Sequence, residues 1–414
     1  MKIKLFKIFS LLVLFLVTQA VVAEPQSCVP KGQWYNNDGN QVSLHQLLKT
    51  LGKNQVVLLG EDHDSAEHHR WQLQVMNQLY ALKPNMVIGF EAFPRKVQPI
   101  LDQWINGELS EEDFLAKVDW ATIWSYNAAH YMPMFHFARM NRIPMLALNV
   151  ERNLVSKVGA NGWENIPEAE REGVSRPAMP SEDYLDMLAE VFGQHMTSSH
   201  GGNSNHTSAT DHTSAESSDT EASAPKVDKK DPAFIRFVEG QTLWDRAMAE
   251  AILQGKKKYN VDVIIGVMGS GHVMGGFGVP HQLADLGIKK VKALMPWDQR
   301  MQCDQLQAGV ADYFFGLVHE EAENNNSKKP RLGVYLEPTN DLVRIKTLVS
   351  GSIAEKSGLQ QDDKIVTIAG RNTKTVGEIV EAVQRTAFGT WLPIKILRNG
   401  KEVEIIAKFP ANDS

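Results

Sequence analysis

Apolar runs and helical stripes alternate along most of the chain. Val56–Leu59 is a short aliphatic run closed by Gly60, with Glu61, Asp62 and His63 following at once. A β-branched and aliphatic run of this length, closed by glycine, predicts a buried strand. The pattern recurs at Met86–Phe90 before Glu91, Pro144–Leu148 before Asn149, Asp262–Val267 before Gly269-Ser270-Gly271-His272, and Val291–Leu294 before Pro296-Trp297. Between these runs the apolar spacing is helical. Trp71, Val75, Leu79 and Leu82 give one face of a helix over 65–82. Further helices are expected at 44–51 behind a Ser43 cap, 97–105, 110–118 with a Ser110–Asp113 capping pattern, 181–194 behind Ser181, and 233–254. A helix over 130–141 places Pro133 in its first turn, where proline is tolerated, and Tyr131, Phe135 and Ala138 on one face. Strands that are apolar throughout, alternating with helices, predict an α/β fold: a parallel sheet with helices on both faces.

The pattern changes in three places. Residues 1–23 carry Lys2, Lys4 and Lys7, an apolar core from Ile8 to Val17, and Val21-Val22-Ala23. This reads as a secretory signal peptide cleaved after Ala23. Residues 197–232 are almost free of aliphatics and read as a disordered insertion, punctuated by His195, His200, His206 and His212. Residues 320–330 are a polar linker, after which 331–409 show short strands, turns and one helix near 376–387, a small α+β domain. The main domain is then 24–319.

Composition adds limits. Apolar residues at 43% and charged residues at 22% are those of an ordinary globular protein, and the net charge of −6 gives no reason to expect nucleic acid. No later segment is apolar enough to span a bilayer, and Cys28 lacks the preceding pattern of a lipobox. The expectation is a soluble periplasmic or secreted protein. Cys28 and Cys303 are the two cysteines. They are either one bridge, favoured by an oxidising compartment, or two buried thiols.

The chemistry gathers at strand ends. Glu61 and His63, Glu91, Asn149, and Ser270 and His272 each close a predicted strand. Parallel strands bring such ends to one edge of the sheet, where open α/β sheets bind ligands. Gly-x-x-His occurs twice in this setting, at Gly60–His63 and Gly269–His272. Two histidines and two glutamates can ligate a transition metal, form an acid/base pair or orient a cofactor. The glycine-rich stretch Gly269–Gly278 lacks both the P-loop ending and the dinucleotide spacing, which excludes nucleotide binding. Trp120–Arg139 is rich in aromatic and methionine side chains, suited to a core or to a flat apolar ligand. Tyr126 and Tyr131 lie within it, and a tyrosinate can ligate ferric haem.

LLGEDHDSAEHH (58–69), GFEAF (89–93), Tyr131-Met-Pro, PMLALNVER (144–152), QTLWDRAMA (241–249) and VMGSGHVMGGFGVP (267–280) resemble the ChaN-like family of haem-binding uptake proteins. That family is similar to the wider Tiki/TraB superfamily. The resemblance covers about 40–310, apart from the insertion. It implies a haem binder of iron uptake, with Tyr131, His63, Glu91 and His272 as cofactor-binding candidates and room for a homodimer holding haems face to face. The wider superfamily implies an alternative. A metal-dependent protease or esterase would use Glu61, His63, Glu91 and His272 in catalysis, with His63 and His272 on zinc or manganese.

Residues 331–409 resemble a PDZ domain, through Arg331–Tyr335, Ser352-Ile353-Ala354, Ser357-Gly358-Leu359 and Asp363-Lys364-Ile365. The resemblance implies binding of a partner's C-terminal peptide at Leu332, Gly333, Val334 and Tyr335.

Overall fold

The computed structural model describes residues 28–198, 227–297, 301, 303, 306, 309–317, 330–339 and 342–411. The signal-peptide expectation, residues 199–226 of the insertion and nearly all of the 320–330 linker lie outside the described residues, as do His200, His206, His212 and the side chain of His195. The chain divides into two compact units, 1–319 and 320–414.

In the first unit, β1 (Trp34–Asn36) and β2 (Gln41–Val42) form a small hairpin, and α1 (Leu44–Leu51) leads into β3 (Val56–Glu61). Then come α2 (Ala66–Leu82), β4 (Met86–Pro94), α3 (Gln98–Asn106), α4 (Glu111–Val118), α5 (Trp120–Ile123), α6 (Ala128–Met140) and β5 (Met145–Asn149). The second half holds α7 (Arg152–Asn161), α8 (Glu182–Ser198), α9 (Pro232–Tyr259), β6 (Val263–Gly269), α10 (Val279–Asp285), β7 (Val291–Trp297) and β8 (Tyr313–Gly316). The strands make one 8-stranded sheet in the order β2-β1-β8-β7-β3-β6-β4-β5. From β8 to β5 every pairing is parallel; β1 joins β8 antiparallel.

The sheet is apolar on both faces because both are covered. Val57 and Leu59 of β3 enter one core with α2, α3 and α6, while Val56 and Leu58 enter the other with α7, α9 and α10. This is the two-residue period of a strand read from both sides. The predicted parallel strands are all present. The hairpin β1–β2, strand β8 and helix α7 are additions the periodicity does not show. Helix α6 begins earlier than expected, at Ala128 behind an Asn127 cap, so Pro133 lies inside it. Cys28 and Cys303 are bridged, with Cα atoms 5.5 Å apart, which resolves the alternative left open by the sequence. Among the described residues, no helix is long and apolar enough to cross a membrane.

The second unit contains β9 (Val334–Pro338), β10 (Val343–Leu348), α11 (Ile353–Lys356), β11 (Lys364–Ile368), β12 (Arg371–Asn372), α12 (Val376–Gln384), β13 (Trp391–Arg398) and β14 (Lys401–Lys408). Its antiparallel sheet runs β14-β13-β11-β10-β9, so β9 is an edge strand. Ile345, Ile365, Ile379 and Ile394 are among the residues of its own core.

Candidate functional site

Strands β3 and β6 are parallel neighbours, with Glu61 opposite Gly269. The two Gly-x-x-His segments therefore leave the carboxyl edge of the sheet side by side. β4 lies on the other side of β6 and delivers Glu91 to the same place. Gly269 is needed there. A side-chain carbon on it would stand 3.0 Å from His63 Cε1 and 3.1 Å from Nε2, inside ordinary contact.

The charged groups fall into two buried units. In the first, Glu61 Oε1 lies 2.8 Å from His63 Nδ1 and accepts the Tyr131 hydroxyl at 2.7 Å. Glu61 Oε2 lies 3.2 Å from His69 Nδ1. His69 also faces Gln72 Oε1 and the His63 carbonyl, both at 3.1 Å. Gln72 donates its amide to the Leu59 carbonyl at 3.2 Å, which turns its oxygen toward the ring. His69 thus meets acceptors at both nitrogens, the setting of an imidazolium. Burial opposes its charge, but the Glu61 carboxylate outweighs burial and raises its pKa. Burial would likewise raise Glu61, yet the His69 charge and the bonds from both histidines hold it well below the usual carboxylate range. For His63, burial pulls down while the bond to Glu61 and the Glu91 charge pull further up.

The second unit centres on His272. Its Nδ1 lies 2.7 Å from Asp245 Oδ1 and its Nε2 3.3 Å from Glu91 Oε1. Tyr184 donates its hydroxyl to Asp245 Oδ2 at 2.7 Å. Glu91 Oε2 accepts the Gly269 amide at 2.7 Å. Burial disfavours the His272 charge, but Glu91 and Asp245 together push its pKa up to about 10. Burial would raise Glu91, but the charge and bond of His272, the His63 charge and the Gly269 amide together lower it.

A cavity of about 190 Å³ opens beside both units. Its walls include Ile123, Trp124, Tyr126, Val150 and Trp244, and its rim includes Lys96 and Arg152. The His63 ring packs against Trp124 and Tyr126, with centroids 4.6 and 5.0 Å away. The predicted residues Glu61, His63, Glu91, Asn149, Ser270 and His272 all reach this cavity wall, and Tyr131 does not. Tyr131 is 1% exposed, and burial together with Glu61 holds its phenol well above the ordinary value.

The expectation of a divalent metal on His63 and His272 finds no support in the described residues. Among the described residues, no group of three or more His, Cys, Asp or Glu side chains is arranged to hold a metal ion. In this arrangement His272 turns both nitrogens to carboxylates, while His63 engages a carboxylate through Nδ1 alone. His69, Tyr184 and Asp245 are site residues that sequence reasoning missed. The available signals were an Asp within the apolar stripe of α9 and polar residues on the buried face of α2.

In the second unit, Gly333 has φ +77, and a side-chain carbon there would stand 2.5 Å from Ser352 Cβ. The carbonyls of Leu332 and Gly333 are held by the Ala354 and Val349 amides at 2.8 and 2.9 Å. Their own amides have no partner among the described residues. Val334 begins edge strand β9 and Tyr335 is exposed.

Comparison with known proteins agrees with both units. A family model described as haem-binding uptake, Tiki superfamily, ChaN matches residues 47–283, more than half of the 414-residue chain, and the chain belongs to that family. A PDZ domain model matches 330–408, and the second unit is a PDZ domain. A solved structure described as cofacial heme binding to ChaN of Campylobacter jejuni is similar with TM-score 0.48 and 16% identity, over 68% of this chain and 95% of that one. The serine protease Do-like HtrA of Bacillus subtilis is 37% identical over 88 residues, 21% of this chain and 20% of that protein. A probable periplasmic serine endoprotease DegP-like of Chlamydia trachomatis is 30% identical over 152 residues, 36% of this chain and 27% of that protein. The chain thus spans only 20% and 27% of the length of these two curated relatives.

Proposed function

We propose that the chain is an exported haem-binding protein of iron uptake or handling, whose PDZ domain holds the C-terminal peptide of a partner. Family membership supports haem, and one feature of the cleft carries the reading. His63 commits Nδ1 to the buried Glu61 carboxylate, while Nε2 has no hydrogen-bond partner among the described residues. A carboxylate on one imidazole nitrogen fixes the ring and makes the other a better iron ligand.

The other residues fit the group. Trp124, Ile123, Val150 and Trp244 offer apolar wall. The Trp244 indole N–H is buried without a partner, and Arg152 is exposed at the rim without an ion pair among the described residues; both suit carboxylates. When bound, haem would supply a flat apolar surface, two carboxylates and an iron that accepts a nitrogen or oxygen donor. His63 would hold the iron through a neutral Nε2 while its Nδ1–H donates to Glu61. Glu91 and His272 stay paired and bound the cleft. Tyr131 serves as a support through Glu61, which moves the expected phenol ligand to Tyr126 on the cavity wall. The cavity of about 190 Å³ is smaller than the roughly 300 Å³ at which pockets enclose a small molecule. A porphyrin would therefore keep one face outward, and a second copy of the chain would cover it.

The PDZ reading follows from the paired requirements of strand addition. The open edge of β9 offers main-chain groups, and the unpartnered amides of Leu332 and Gly333 suit a terminal carboxylate. Export rests on the sequence of residues 1–23.

Hemin titration of the purified mature chain tests the haem reading. A saturable Soret shift is expected; a spectrum equal to free hemin plus protein contradicts it.

A further inference from the structure

The edge of the sheet opposite the cleft has a different character. β7, β3, β6 and β4 begin there side by side. The Gln55 and Val56 amides bond to the Lys290 carbonyl at 2.9 and 3.2 Å, Ile264 bonds to Gln55 at 3.0 Å, and Asp262 bonds to Asn85 at 3.0 Å. The segments entering these strands carry Lys53, Lys83, Lys257, Lys258, Lys289 and Lys290. None is in an ion pair among the described residues. The acidic residue among them is Asp262; Asp102 is near enough to act on Lys258, and Asp312 is paired with Lys292. On a chain of net charge −6 this is a local reversal of sign. The helix dipole favours lysine at the end of α9, but Lys53, Lys289 and Lys290 stand outside helices.

A second observation lies in the same place. Leu82, at the end of α2, is 49% exposed. It sits beside Gly52, where an added side-chain carbon would be 3.1 Å from its Cδ2. A large apolar side chain among long, unpaired lysines suits an interface with charged headgroups above and acyl chains below. Lysine as a point charge fits a diffuse anionic surface, whereas discrete phosphate recognition favours the arginine fork. The other edge opens on the cleft, where Glu61 and Glu91 are buried against histidines and Glu151 is paired with Lys96, so it lacks a comparable run of unpaired lysines.

We propose that the amino edge of the sheet, centred on Lys53, Leu82, Lys289 and Lys290, docks the protein on an anionic bilayer and leaves the cleft facing outward. The inference is independent of what the cleft binds.

The test is co-sedimentation of the full mature chain with phosphatidylcholine vesicles, with and without about one third phosphatidylglycerol. Binding is expected only with phosphatidylglycerol, and it should weaken as salt rises from about 50 to about 500 mM because surface charge is screened. Lys289→Glu with Lys290→Glu should reduce partitioning by at least ~30-fold, and Leu82→Ser should reduce it with the charges intact. A control pair of equal charge change, Lys31→Glu with Lys117→Glu, should bind as wild type, and circular dichroism checks that every variant is folded. Equal binding to both vesicle types overturns the proposal, as does an unaffected Lys289/Lys290 variant. Retention on DNA or on an acidic protein without vesicle binding overturns it in favour of a different partner.

Discussion

Glu61 Oε1 lies 2.8 Å from His63 Nδ1 and 2.7 Å from the Tyr131 hydroxyl. One buried oxygen thereby orders both a ring that opens to the cleft and a phenol that does not. Glu61→Gln keeps the shape and removes the charge that offsets His69. Removing one partner of a buried ionic group costs about 3–5 kcal/mol, so the urea midpoint should fall accordingly. An unchanged midpoint would show that Glu61 is not the counter-charge described.

Stability should depend on pH through the same units. His272 has its pKa raised from 6.5 to about 10. Its contribution is complete below pH 6.5 and is lost as pH rises through about 10. Raised values at His63 and His69 add to that alkaline loss. Glu61 and Glu91 are lowered from 4.5, so their contribution is present above that value and lost in stronger acid. Thermal midpoints should be highest between about pH 4.5 and 6.5 and fall toward 10. Asp245→Asn should start from a lower midpoint and show a shallower alkaline fall; an equally steep fall in both proteins would contradict the assignment.

In the PDZ domain, Gly333→Ala must accept φ +77 and a contact of 2.5 Å with Ser352 Cβ. A left-handed backbone for a non-glycine residue costs of order 1–3 kcal/mol, and the amides at 332 and 333 would be misplaced. Affinity for a peptide ending in a free carboxylate should fall ~tenfold, and amidating the wild-type ligand's terminus should do the same. Fluorescence polarisation measures both. A ligand indifferent to amidation would place recognition elsewhere.

The parallel strands were legible because a strand buried on both faces is apolar at every position. β1, β2 and β8 are too short to leave a period, and α7 follows PMLALNVER without a cap signal. Glu61, His63, Glu91 and His272 could be named because each closes such a strand. What those residues do to each other was not legible. Asp245 reaches His272 from α9, Tyr184 bonds Asp245 from α8, and His69 reaches Glu61 from α2, contacts set by tertiary packing. Without these partners the same histidines and carboxylates read as metal ligands; with them, each neutralises another. The Tyr131 hydroxyl bonds Glu61, a partner 70 positions away that the sequence pattern does not show.

The most direct measurement compares the ferric haem spectra of the wild type, His63→Ala, Tyr126→Phe and Tyr131→Phe after hemin titration. The account predicts weaker binding and an altered Soret band for His63→Ala, and a change in the charge-transfer region for Tyr126→Phe. Tyr131→Phe should keep the wild-type spectrum while losing about 1.5–3 kcal/mol of stability, from one hydrogen bond to the charged Glu61 oxygen. A wild-type spectrum in His63→Ala, with loss of the band in Tyr131→Phe, would contradict it.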